Sequence, residues 1–278
     1  MKVGIVGLGL IGGSMAKSVK ARTGHTVYGI DLDRETMTLA RLCGAIDGPL
    51  TEEVLGECDL VLLAIRPQAA IDWVKEHGAG ISRTAILVDL CGVKRVVVEQ
   101  LAPLAERYGF SYIGGHPMAG RERGGFTSST EDLYLGASMI LTPDKRTDMR
   151  LLETLQAFFL DVGFAKLTFS DPEEHDRIIA FTSQLAHIVS SAYVKSPEAQ
   201  RRRGFSAGSF RDMTRVARLD EDMWTELFLD DADYLTKELG ILIGHLEEYR
   251  EALVAKDEKR LRQLLKEGRE MKAGAGGN

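Results

Sequence analysis

The chain has little of what would take it outside the ordinary globular class. Three cysteines, Cys43, Cys58 and Cys91, are an odd and widely spaced set, so neither a disulfide framework nor a metal-ligand spacing is expected. No apolar run reaches the roughly 18–20 residues that a membrane span needs. Basic residues are not in excess: 35 Lys+Arg against 41 Asp+Glu leave a net charge of −6, which argues against a dedicated nucleic-acid binder. Asparagine occurs once, at Asn278. The apolar start, MKVGIVGLGLIGGSM, is threaded with five glycines and reads as a strand entering a turn, not as a signal peptide. Together these point to a cytoplasmic protein.

With 44% hydrophobic and 27% charged residues, the chain has the composition of a folded protein, and 278 residues allow one large domain or two modest ones. β-Branched runs at 3–6, 26–30, 60–65, 85–90, 112–113 and 138–141 read as strands, with a last short one at 165–169. Amphipathic stretches at 34–43, 68–77, 96–108 and 148–162 separate them. Strands apolar on both faces and alternating with helices predict an α/β fold with a mostly parallel sheet covered on both sides. At Ser170 the rhythm changes. Asp171-Pro172-Glu173-Glu174 supplies a cap, a proline at the first helical position and a glutamate three residues after the cap. The helix it starts is expected to run unbroken to Lys195, and everything after residues 200–203 reads helical. Two domains, 1–169 and 170–278, follow. Leu235, Leu239, Leu242, Leu246, Tyr249 and Leu253 form an apolar seam down one helix face, read as either bundle packing or a subunit interface, and a homodimer is expected. Residues 272–278 read as a frayed tail.

Gly7-Leu8-Gly9-Leu10-Ile11-Gly12 follows a predicted strand and opens a predicted helix, the context in which this glycine pattern binds a dinucleotide. Gly7 permits the tight turn, Gly9 lets backbone approach a pyrophosphate, and Gly12 allows close helix–strand packing. Amides near Leu10 and Ile11 would face the phosphates. Asp31 ends the second strand nineteen residues beyond Gly12, the distance expected of the acid that binds the adenosine ribose. A carboxylate there repels a 2′-phosphate and favours NAD, with Arg34 as the neighbour that could accommodate one. Ile65, the last residue of the 60–65 strand, is a further expected cofactor contact.

The substrate site belongs beside the nicotinamide, at the carboxyl ends of the strands. Gly114-Gly115-His116-Pro117-Met118-Ala119-Gly120 falls there, and glycines flanking a histidine suggest a sharp turn that carries the imidazole to a ligand. His187 lies sixteen residues into the Asp171 helix. Phe210-Arg211-Asp212-Met213-Thr214-Arg215 adds two arginines, the side chain suited to gripping carboxylates.

Taken together, GLGLIGGS at 7–14, GGHPMAG at 114–120, and SAGSFRDMTR at 206–215 followed by Met223-Trp224 resemble the prephenate/arogenate dehydrogenases of tyrosine biosynthesis, over nearly the whole chain. The resemblance implies an N-terminal Rossmann-type domain, an all-α C-terminal dimerisation domain, and NAD-linked oxidative decarboxylation of prephenate or arogenate. It further implies that His116 is catalytic, that His187 and Trp224 line the substrate pocket, that Arg215 meets a substrate carboxylate, and that Glu122 and Asp212 stand near the pocket mouth. The turn Leu90-Cys91-Gly92-Val93-Lys94 departs from the family's pattern, with Gly92 where a serine often contacts substrate or cofactor. Gln184 stands where some members carry another histidine. The length leaves no room for a regulatory or chorismate mutase domain, which implies the single-activity form. The chemistry needs a base for the 4-hydroxyl proton and a cation for a dianionic substrate, which a histidine and an arginine supply. The β-hydroxyacid dehydrogenases, which the fold also allows, use a Lys and an Asn four apart on the first long helix; Asn278 alone cannot provide that pair. A non-catalytic NAD sensor would need no histidine–arginine pair.

Overall fold

The computed structural model describes residues 1–275. Eight strands form one sheet: β1 (Lys2–Val6), β2 (Thr26–Ile30), β3 (Gly48–Pro49), β4 (Leu60–Leu63), β5 (Ile86–Asp89), β6 (Ser111–Pro117), β7 (Ser138–Thr142) and β8 (Lys166–Phe169). Their order is β3-β2-β1-β4-β5-β6-β7-β8, and every pairing is parallel except the β6–β7 pair. The chain reverses its direction of travel across the sheet between β1 and β4, the kind of switch point at which such sheets bind ligands.

Alternation along the strands builds two cores. Val3, Ile5, Leu60 and Leu62 join Met15, Phe158 and Phe159 on one face, whereas Val6, Val61 and Leu63 join Ile71, Val97 and Leu101 on the other. The covering helices are α1 (Leu10–Arg22), α2 (Arg34–Leu42), the single turn α3 (Glu52–Leu55), α4 (Pro67–His77), α5 (Arg95–Tyr108) and α6 (Met149–Val162). Asp33 and Asp148 cap α2 and α6 through their side chains, and Pro67 opens α4.

α7 (Pro172–Ile179) begins as its sequence predicts, with Asp171 accepting from the Glu174 amide at 2.8 Å. It does not continue as one regular helix. Residues Ala180–Leu185 form a π-helical turn before α8 (Ala186–Tyr193), a local widening that no proline or glycine announces. The chain then forms α9 (Glu198–Arg201), α10 (Gly208–Thr214) and α11 (Glu221–Asp230). Ser190 Oγ donates to the Met213 carbonyl at 2.8 Å, tying α8 to α10. Compactness groups all of this, Met1–Asp231, in one unit.

The second unit begins at Ala232 and consists of α12 (Ala232–Val254) and α13 (Glu258–Ala275). Arg260 reaches back to Glu248 at 2.6 Å across their connection. The expected tail is helical as far as Ala275, while residues 276–278 lie outside the described residues. Among the described residues no helix is long and apolar enough to cross a membrane.

Candidate active site

The glycine turn has the form a dinucleotide requires. Gly7 adopts φ +86°, and a Cβ there would meet Ile65 Cγ2 at 2.4 Å, so a side chain is excluded twice over. A Cβ on Gly12 would lie 1.9 Å from the Gly7 carbonyl oxygen, which shows how tightly α1 is drawn against the turn. Gly9 is the opposite case: nothing stands within 4 Å of its Cβ position, leaving room for a pyrophosphate. The first turn of α1 has no side-chain cap and no acidic residue, so the amides around Leu10 and Ile11 meet no competing carboxylate. Leu8 turns its side chain into the core, and its amide donates to Asp31 Oδ2 at 2.7 Å. Asp31 Oδ1 accepts from the Asp33 amide at 2.9 Å, so the carboxylate is held at the rim of the turn. These residues fit a bound dinucleotide.

His116 is not on a turn. β6 runs through it to Pro117, with His116 opposite Ile140 of β7. The two preceding glycines serve close packing: a Cβ on Gly114 would meet Thr142 Oγ1 at 2.4 Å, and one on Gly115 would meet Met139 Cε at 2.7 Å. The strand is also held from below. Lys94 and Asp89, both fully buried, form an ion pair, and Lys94 Nζ donates to the Gly115 carbonyl at 2.6 Å. Tyr112 donates its hydroxyl hydrogen to Asp89 Oδ2 at 2.8 Å.

The His116 ring meets a second histidine. Its Nδ1 lies 2.9 Å from Nε2 of His175, whose Nδ1 lies 2.7 Å from Oδ1 of Asp176. His175 and Asp176 stand in α7, 2% and 0% exposed. Asp176 also accepts from the backbone amides of Lys94 at 2.7 Å and Arg95 at 2.8 Å. Burial pushes His116 well below the ordinary histidine range, helped by the neighbouring His175 and Lys94. Burial likewise lowers His175, against the opposing pull of its hydrogen bond to Asp176. Asp176 stays below the usual carboxylate range: burial works to raise it, but the bonds from His175 and the Arg95 amide prevail. Sequence reasoning missed His175 and Asp176. The adjacent His–Asp pair, four and five residues beyond the Asp171 cap, was the available signal.

The other ring nitrogen of His116, Nε2, makes no hydrogen bond among the described residues. A Cβ on Gly92 would stand 3.9 Å from His116 Nε2 and 3.5 Å from Leu227 of α11. α11 also carries Trp224, whose ring packs against His187 at 4.0 Å between centroids, tilted by 32°. His187 Nδ1 donates to the Ser183 carbonyl in the π turn at 2.8 Å. Burial lowers His187, the Ser183 bond raises it, and nearby Arg215 lowers it again. Gln184, in the same turn, is buried with its side-chain oxygen lacking a partner among the described residues. Arg215, just beyond α10, is exposed and makes no side-chain hydrogen bond or ion pair among the described residues. Asp212 is exposed and 4.0 Å from Arg211, and Glu122 is exposed on the loop after β6. The structure thus groups His116 with Gly92, and His187 with Trp224 and Arg215; among the described residues Glu122 and Asp212 make no hydrogen bond or ion pair with either group.

Family models match both parts of the chain. One described as "Prephenate dehydrogenase, nucleotide-binding domain" covers residues 15–168, and one described as "Prephenate dehydrogenase, dimerization domain" covers residues 171–267. The prephenate dehydrogenase of Bacillus subtilis is 30% identical over 97% of this chain and 75% of its own length. A crystal structure of prephenate dehydrogenase from A. aeolicus in complex with hydroxyphenyl propionate and NAD+ superposes with a TM-score of 0.84 at 30% identity, covering 99% of this chain and 98% of that one. The arogenate dehydrogenase of Synechocystis gives a TM-score of 0.80 at 26% identity, covering 99% of this chain and all of that one, 100%.

Proposed function

The chain belongs to the prephenate dehydrogenase family, and from that premise we propose how its own residues carry the family's reaction. The reaction is the NAD-dependent oxidative decarboxylation of prephenate. The nicotinamide, when bound, accepts the hydride that leaves the ring carbon bearing the hydroxyl. His116 takes the hydroxyl proton at Nε2, so that carbon becomes a carbonyl, and loss of the ring carboxylate as carbon dioxide then makes the ring aromatic. A neutral imidazole is required, and burial, with His175 and Lys94 nearby, favours the neutral form of His116. The observation that carries the assignment is the placement of this ring: Nδ1 tied to His175, Nε2 without a hydrogen bond among the described residues and near Gly92, at the carboxyl end of the sheet.

Arg215 is the proposed grip for a substrate carboxylate, since it is a cation near His187 with no protein partner among the described residues. His187 and Trp224 form the pocket wall beside it. Glu122 and Asp212 are assigned to the pocket mouth by their place in the family's motifs alone. Asp31 takes the ribose hydroxyls, and Asp33 adds to the NAD preference: its side chain occupies the Glu35 and Thr36 amides at the start of α2, donors that a 2′-phosphate would otherwise find.

The functional domain boundary is proposed at 169–170, between the two family matches, although α7 to α11 pack in the same compact unit as the sheet. A homodimer is proposed through α12, where Leu246 and Leu253 are 58% and 61% exposed. Sedimentation showing only a species near 30.6 kDa would contradict it. We assign the protein to the cytoplasm, in keeping with its three free cysteines. The direct test of function is NADH formation with prephenate and with arogenate, each with NAD and NADP. Turnover of prephenate with NAD is expected, and its absence would overturn the reading.

A further inference from the structure

We infer that His175 and Asp176 are positioning residues that fix which nitrogen of His116 carries hydrogen, leaving Nε2 as the bare acceptor; this rests on His116 being the base. The argument begins at Asp176, whose ionised carboxylate can only accept. It is buried and already takes the Lys94 and Arg95 amides, as well as Arg95 Nε at 3.4 Å. The hydrogen between it and His175 must therefore sit on His175 Nδ1. A neutral imidazole has one N–H, so His175 Nε2 is a lone pair. His116 Nδ1, 2.9 Å away, must then be the donor, and His116 Nε2 is left without hydrogen. That is the nitrogen near Gly92, which makes no hydrogen bond among the described residues.

A free histidine side chain in water favours hydrogen on Nε2, so the protein imposes this arrangement. The logic is that of a catalytic triad with a second histidine between acid and base. The same chain serves the next instant of the reaction. Once Nε2 has taken a proton, the imidazolium donates from Nδ1 to a ring whose far side rests on Asp176, which stabilises the positive charge. The other charged groups facing the two rings are Lys94 and Asp89, and these are paired with each other.

The test is ring-nitrogen NMR of the full-length protein labelled at histidine, at neutral pH, with signals assigned by His116→Asn and His175→Asn. The parent is expected to carry hydrogen on Nδ1 of both rings. His175→Phe, which fills the space but cannot accept, is expected to move the His116 hydrogen to Nε2. It should lower kcat by about 10²–10⁴-fold, the range for losing a positioned base, with KM for prephenate barely changed. His175→Gln retains an acceptor and should recover part of that loss. Hydrogen on Nε2 of His116 in the parent overturns the inference even if His175→Phe does not fold. Parental kcat in folded His175→Phe, with His116→Asn inactive, also overturns it and leaves the base assignment standing. Near-parental turnover in His116→Asn overturns the base assignment itself.

Discussion

His116 lies on a strand paired on both sides, its ring hydrogen-bonded at 2.9 Å to a histidine that is itself buried against a carboxylate. Arg215 lies just past the end of a seven-residue helix, exposed, with no partner for its guanidinium among the described residues. On the proposed assignment, the base is built before substrate arrives, whereas the carboxylate grip is completed by substrate. The contrast follows from the physical task. Proton transfer depends on a fixed geometry and tautomer, which buried hydrogen bonds provide. Binding a dianion needs a cation whose charge is not already neutralised by the protein.

Variants on the two sides should therefore fail differently. The largest expected effect is in His116→Asn, which should lower kcat by about 10²–10⁴-fold while leaving NAD affinity, measured by fluorescence titration, intact. If KM for prephenate rises instead and kcat holds, the division between chemistry and recognition is wrong. Arg215→Ala should cost about 1.5–3 kcal/mol, the range for a hydrogen bond to a charged group. That loss should appear in KM for prephenate, with NAD binding unchanged; unaltered steady-state kinetics would make Arg215 a plain surface charge. Asp31→Ser should lower NAD use and raise NADP use in the same assay. Because Asp33 still occupies the amides at the start of α2, the switch should be partial, and a parent that already prefers NADP would contradict the assignment. Trp224→Leu removes the ring packed against His187 and should cost about 0.5–1.5 kcal/mol in prephenate affinity, without changing kcat.

The two sides also differed in how far the sequence disclosed them. The sheet was legible because residues such as Val3, Ile5, Leu60 and Leu62 are apolar in runs that only a strand covered on both faces would tolerate. The start of α7 was legible because Asp171 and Pro172 act locally. The two-residue strand β3 was not, being too short to show a period. Gly114 and Gly115 suggested a turn because their real function, making room for Thr142 and Met139, depends on a strand that arrives from elsewhere in the chain. The run Asp171–Asp176 resembled a solvated, acid-rich helix start. Only the fold brings the Lys94 and Arg95 amides over Asp176 and turns its last two residues into the support of the base. His116, Arg215 and Trp224 were found through family motifs, which record the site without recording what holds it.

The central claim, that a recessed neutral imidazole does the proton chemistry, is tested most directly by the pH dependence of kcat/KM for prephenate at saturating NAD, which reports the free enzyme's base. His116 must be unprotonated to act, and burial, with His175 and Lys94 nearby, lowers its pKa well below the ordinary 6.5. Activity should therefore persist as pH falls through 6.5 and decline only beneath it, and the residual activity of His116→Asn should lose that acid limb. An acid limb centred above 6.5, or one that survives unchanged in His116→Asn, would contradict the account.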